Sequence, residues 1–188
     1  MKIICIFAFE KNRLLSVQFD NSTVDEFRKA FNQWQDVEYL EHFFELHKYD
    51  LQSGFYNNIS IEDAVLRTIN ESSAFEEYIL KIAQKGSKEK ETTLNNIIFR
   101  TLNKYETSLV YQKNKAYGLV SKSWLRIYAI RISADIFVVS GSAIKLTATM
   151  EERLHTKNEL DKLKKTAQYL KSIGFEDTDD YGFIEIYN

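Results

Sequence analysis

Residues 144 to 156 read IKLTATMEERLHT, a stretch that gathers Lys145, Thr147, Glu151, Glu152, Arg153 and His155. Lysine and arginine can hold anionic oxygens, and histidine or glutamate can move a proton at a neighbouring atom. A second group lies upstream in WLRIYAI, where strand alternation sets Arg126 on one face with Trp124 and Tyr128, opposite Leu125, Ile127 and Ala129. The same alternation sets Lys145 and Thr147 together, away from Ile144 and Leu146. Cations beside aromatic rings suit a polyanion with unpaired bases, the cations holding phosphates and the rings meeting base faces. They equally suit an exposed sheet face on which long basic stems lie over aromatics.

Other chemistries find less support. His42, His47 and His155 show no HExxH or related spacing, so no metal site is expected. A metal-dependent hydrolase built on Glu151, Glu152 and His155 would need ligands that the sequence does not show. His47 falls on an apolar helical stripe, the place of a core or boundary histidine. There is no Walker or GxGxxG loop, and SGSA at 140–143 reads as a small-residue turn. The single cysteine, Cys5, cannot form an intrachain disulfide and lies in an apolar strand pattern, which fits a reducing cytoplasm.

The elements that position these residues follow from periodicity. KIICIFAFEKNRLLSVQF reads as two strands around a turn at Glu10 to Asn12. After a cap signal at 20–23, Val24, Phe27, Phe31 and Trp34 recur at helical spacing, and a second helix starts near Asp36 with Leu40, Phe43, Phe44, His47 and Leu51 on one side. Ser60 caps a further helical stretch that runs through Phe75, Ile79 and Ile82 to Gly86. GSKEKETT at 86–93 is a loop, and LNNIIFRTL predicts another short helix. From about residue 108, SLVYQ, WLRIYAIRI, IFVVS and AIKLT predict an antiparallel meander with turns at 133–135 and at Gly141-Ser142. Thr156 and Glu159 form a capping-box pattern ahead of Leu160, Leu163, Ala167 and Leu170, and YGFIEIYN predicts a terminal strand.

With 188 residues, 44% of them hydrophobic, the chain can bury a substantial core. The expected fold is α+β: an N-terminal β-hairpin and helical region, then a curved antiparallel sheet with a C-terminal amphipathic helix. It reads as one domain over 1–188, divisible into a hairpin-plus-helical part at 1–90 and a sheet-and-helix part at 94–188. The apolar run Ile3 to Phe9 is interrupted by Glu10 with no cleavage site after it, and no run is long enough to span a membrane, so a soluble protein is expected. The net charge of −2 conceals an asymmetry. Residues 1–99 are net −5, residues 100–172 net +8 and residues 173–188 net −5. A basic segment between acidic flanks fits a face for polyanions, as it fits a solvated lysine-rich helix.

The segment WLRIYAIRISADIFVVSGSAIKLTATMEERLHTKNELDKLKKTAQYL resembles the RelE/HigB-like toxins of type II toxin–antitoxin systems. The matching pieces are Leu125-Arg126-Ile127-Tyr128 with Arg131, the strand Ile136 to Ser140, Ile144-Lys145-Leu146-Thr147 and the helix from Thr156, over roughly residues 105–172. The resemblance implies a small α+β fold, ribosome-dependent and metal-independent cleavage of mRNA, no cofactor, and a cognate antitoxin as partner. It implies Arg126 and Lys145 as phosphate binders, His155 or Tyr128 for proton transfer, and Lys122, Trp124, Arg131, Thr147 and Arg153 as substrate contacts. The chain departs from the family in its acidic helical N-terminal half, its near-neutral charge and the added residues Met150 to His155. A non-catalytic RelE-like protein-interaction or regulatory module is the alternative that these departures imply.

Overall fold

The computed structural model describes residues 1–6, 13–85, 93–103, 105, 108, 110–133 and 136–175. Among them the order is β1 (Lys2–Cys5), β2 (Leu14–Gln18), α1 (Glu26–Gln35), α2 (Val37–Leu46), α3 (Lys48–Leu51), α4 (Ile61–Lys85), α5 (Leu94–Ile97), β3 (Phe99–Thr101), β4 (Gln112–Tyr117), β5 (Leu125–Arg131), β6 (Phe137–Ile144) and α6 (Leu154–Ser172). The chain is an α+β protein. Its strands form one open sheet in the order β1-β2-β6-β5-β4-β3, so both halves of the sequence share a single sheet. Neighbours are antiparallel except β2 and β6, which run parallel through Leu14–Phe137, Leu15–Val138 and Ser16–Val139.

Helices cover both faces of the sheet. On one, Phe27, Phe31 and Trp34 of α1, Phe44 of α2 and Phe75 of α4 pack with Leu125 and Ile127 of β5 in a dry core. On the other, Leu163, Ala167 and Leu170 of α6 pack on Tyr128, Ile130 and Val138. Each fully buried aromatic or leucine of this kind contributes roughly 1.5–3 kcal/mol relative to exposure. Because α6 lies over β5 and β6, the outward face of β4 stays open beside it.

Several local expectations change. Asp25, not the 20–23 segment, caps α1, its carboxylate accepting from the Phe27 and Arg28 N–H groups. Asp36 caps α2 and Ser60 caps α4, as their spacing predicts. LNNIIFRTL makes only one helical turn before β3, which pairs with β4. The turn expected at Gly141-Ser142 is absent, since β6 runs unbroken from Phe137 to Ile144. Its irregularity is a bulge at Ser140, where pairing shifts from Tyr128–Gly141 to Ala129–Val139. Gly141 serves closeness instead: a Cβ there would lie 1.8 Å from the Glu159 carboxylate of α6. The capping box also gives way, because α6 starts at Leu154 and the buried Thr156 hydroxyl donates to the Met150 and Arg153 carbonyls. The expected turns at 10–12 and 134–135, most of the 86–93 loop and the terminal strand lie outside the described residues.

Candidate nucleic-acid interface

The open side of β4 forms the floor of a groove of about 1340 Å³ between the sheet, the 50–56 segment, the 145–152 segment and α6. Alternation in QKNKAY explains its charge: Gln112, Asn114 and Ala116 point inward and are buried, so Lys113, Lys115 and Tyr117 point out. Pairing with β5 places Tyr117 opposite Arg126 and Lys115 opposite Tyr128. The Arg126 guanidinium lies 4.1 Å from the Tyr117 ring centre, and the Lys115 ammonium 5.5 Å from it. Arg126 Nη1 donates to the Ser123 and Leu125 carbonyls, while Nε and Nη2 meet no protein acceptor among the described residues. Lys145, just past β6, donates to the Thr147 and Ala148 carbonyls at 2.6 Å each. Burial lowers its pKa, and the nearby charges of Arg126 and Lys115 lower it further.

Six cations line this groove, Lys113, Lys115, Lys122, Arg126, Lys145 and Lys164, against the carboxylates Asp50, Glu151 and Glu152. Asp50 is held by Arg153 through Nε at 2.7 Å and through Nη2, and Glu152 accepts from the Thr149 hydroxyl at 2.9 Å. The surplus is therefore positive, and the cations sit close enough to perturb one another. Such an arrangement persists because solvent, or an anion, supplies what the protein does not.

A rim built on α4 positions part of the groove. Arg67 donates to the Ser121 and Lys122 carbonyls and lies 4.3 Å over the Trp124 ring, whose Nε1 donates to Thr68 Oγ1. Buried Glu71 accepts from the Val120 N–H. Lys122 has a φ of 55° and donates to the Phe55 carbonyl from above that ring. Gly118 is needed for closeness, since a Cβ there would lie 2.1 Å from both Glu71 Oε1 and Ser123 Oγ. Gly118→Ala should cost about 2 kcal/mol by overpacking, read from the midpoint of urea denaturation, with the larger change in urea concentration expected when Glu71 is retained than in a Glu71→Ala background.

The groove thus brings together Lys122, Arg126, Tyr128, Lys145 and Thr147. Four other candidates are placed elsewhere. Trp124 is 0% exposed among Phe44 and Tyr56, so its ring faces protein, not a base. Arg131 donates through Nε to the Ser133 carbonyl at the far end of β5. Arg153 is engaged by Asp50. His155 points to the opposite side of α6, its Nε2 3.0 Å from the Ile144 carbonyl and its ring against Phe43 and His47. Tyr128 is 1% exposed, and burial drives its phenol pKa far up, so it is neutral and no base. Lys113, Lys115 and Tyr117 are the residues that sequence reasoning missed.

Among the described residues no group of three or more histidine, cysteine, aspartate or glutamate side chains could hold a metal ion. No helix among them is long and apolar enough to cross a membrane. No protein-family model, curated protein or solved structure matches the chain.

A second polar cluster lies where α6 meets α1 and α2, beside a cleft of about 300 Å³. Lys162 bridges Glu26 at 2.7 Å and Glu159 at 2.8 Å, both carboxylates being buried. Burial pushes Glu159 up to about 7 against the opposing pull of Lys162. Burial works to lower Lys162, but the two glutamates outweigh it and hold its pKa up. This cluster ties α6, a wall of the groove, to the first helix.

Proposed function

We propose that the chain binds RNA in the β4–β5 groove as a RelE/HigB-like, metal-independent endoribonuclease toxin, acting on mRNA in the cytoplasm in association with the ribosome and neutralised by a cognate antitoxin. The observation that carries this reading is the meeting of Arg126, Lys145 and Lys115 in one open concavity beside an exposed tyrosine. In this chemistry the ribose 2′-oxygen bonds to the adjacent phosphorus, the bond to the 5′-oxygen breaks, and charge gathers on the non-bridging oxygens. Arg126 offers Nε and Nη2 to those oxygens, and Lys145 retains one N–H beyond its two carbonyl bonds. This reading assigns the 2′-hydroxyl proton to Glu151, the rim carboxylate that no ion pair engages among the described residues, and solvent returns one to the leaving oxygen.

The position of His155 favours a second reading, a non-catalytic RelE-like module that holds RNA or a protein partner on the same face. His155 is turned away from the groove, and burial keeps the Tyr128 phenol neutral, so neither of the expected proton-transfer groups is able to take the 2′-hydroxyl proton. Induced expression separates the two. The toxin reading expects growth arrest and cleaved transcripts, both abolished by Arg126→Ala with Lys145→Ala. Unaltered growth and intact transcripts, with RNA still captured on the groove, would leave the binding module.

A further inference from the structure

The floor of the groove holds a polar group that no described residue satisfies. Tyr128 Oη has no hydrogen-bond partner, and its side chain forms part of the groove lining. A neutral hydroxyl left without a partner costs about 1–3 kcal/mol, so its retention at a strand centre asks for a reason. Phenylalanine would fill the same space at no such cost. The neighbours of the ring suggest what the hydroxyl is for. Lys115 stands directly across from Tyr128 in the β4–β5 register, Arg126 lies two residues before it on the same face of β5, and Lys145 lies near enough to feel both charges, with Glu152 and Glu151 offsetting them in part. The open Nε and Nη2 of Arg126 present a two-pronged donor.

A single backbone phosphodiester brings one negative charge to a seat with three positive ones. A phosphate monoester brings about −1.5 to −2 at neutral pH, together with three oxygens able to accept hydrogen bonds. We infer that Lys115, Arg126, Lys145 and Tyr128 form a seat for a phosphate monoester, the terminal phosphate of an RNA strand, with the Tyr128 hydroxyl donating to one of its oxygens from the floor. Lys115, across from the ring in the register, and Lys145 carry flexible stems, so admitting the ligand asks for side-chain rotation and no movement of the sheet. The inference rests on the reading of the groove as a holder of RNA, since a terminal phosphate would occupy the donors that cleavage of an internal phosphodiester needs, and its test separates the seat from the groove.

Short ribo-oligonucleotides of one sequence, carrying a 5′-phosphate, a 3′-phosphate or hydroxyls at both ends, are titrated against the protein, with inorganic phosphate and a nucleoside monophosphate as competitors. A terminally phosphorylated strand should bind about tenfold tighter than the doubly hydroxylated one, and inorganic phosphate should remove that advantage. Tyr128→Phe should lower the ratio to about twofold while the protein stays folded and becomes no less stable to urea, because it loses only an unpartnered hydroxyl. Equal binding of all three strands, weakened by Arg126→Ala, overturns the seat and leaves the RNA reading standing. Binding of the mononucleotide and of phosphate without any strand keeps the seat and removes RNA as its source. If none of these probes binds, both readings fall, and a Tyr128→Phe protein that retains the full preference removes the hydroxyl from the seat.

Discussion

Arg126→Ala combined with Lys145→Ala should weaken binding of single-stranded RNA by on the order of 100-fold at about 0.15 M salt, with the magnitude of the salt slope falling by roughly 1.4. The slope is the sharper observable. Each cation that neutralises a phosphate releases condensed counterions, about 0.7 per contact on a single strand, so removing two contacts has a definite signature. Loss of affinity through unfolding would not change the slope in that way. The fold should tolerate the pair, since the two cations repel one another and Lys115, and since the Thr147 and Ala148 carbonyls that lose Lys145 lie on a rim that water reaches. Arg153→Ala is the useful contrast. It removes the same charge from the same segment, but Arg153 is spent on Asp50, so RNA affinity should change by less than about threefold while stability falls. Wild-type affinity in the double variant would end the groove reading, and equal losses in all three variants would mean that only overall charge matters.

The parts of this arrangement that the sequence displays are those set by apolar periodicity. Phe27, Phe31 and Trp34 recur at helical spacing and are buried together, and Leu125, Ile127 and Ala129 face one core as strand alternation requires. β4 escapes that signal because its inward residues Gln112 and Asn114 are polar, Asn114 donating to the Gln112 carbonyl, so Lys113 and Lys115 have no apolar partners to mark the alternation. Alternation counted from Arg126 puts Trp124 on the same face, but the strand begins only at Leu125. The chain enters it from a rim where Lys122 takes a left-handed conformation, and the count fails there. His155 moves for a related reason: the helix begins three residues earlier than its capping pattern predicts, and the ring joins Phe43 and His47. Contacts that close the groove are beyond any local pattern. Arg153 meets Asp50 across 103 positions and Lys162 meets Glu26 across 136.

One of those long-range contacts gives the second large expectation, an inverted dependence of stability on pH at Glu159. Burial raises this carboxyl from 4.5 to about 7, so the folded state holds a proton that the unfolded chain releases. A raised pKa of this kind means that the associated stability is fully present below about 4.5 and is lost as pH climbs through about 7. Over that window the loss is on the order of 3 kcal/mol. Histidines act in the other direction. Burial lowers His47 and His155 below their usual value, with each ring also feeling charge from Arg153, so the folded state prefers them neutral and loses stability as pH falls below 6.5. From about pH 4.5 to 6.5 the two effects oppose one another, and above 6.5 only the loss at Glu159 continues. Glu159→Gln removes the first effect and keeps a side chain able to accept from Lys162, whose charge remains balanced by Glu26. Urea denaturation from pH 4.5 to 8.5 should show the variant matching wild type at the acid end, rising with pH through the histidine range, and exceeding wild type above neutrality by on the order of 3 kcal/mol. A variant less stable than wild type at pH 8.5 would mean that the charged Glu159 is held favourably by Lys162. The buried triad would then anchor α6 through its full charge, with the pull of Lys162 outweighing the cost of burial.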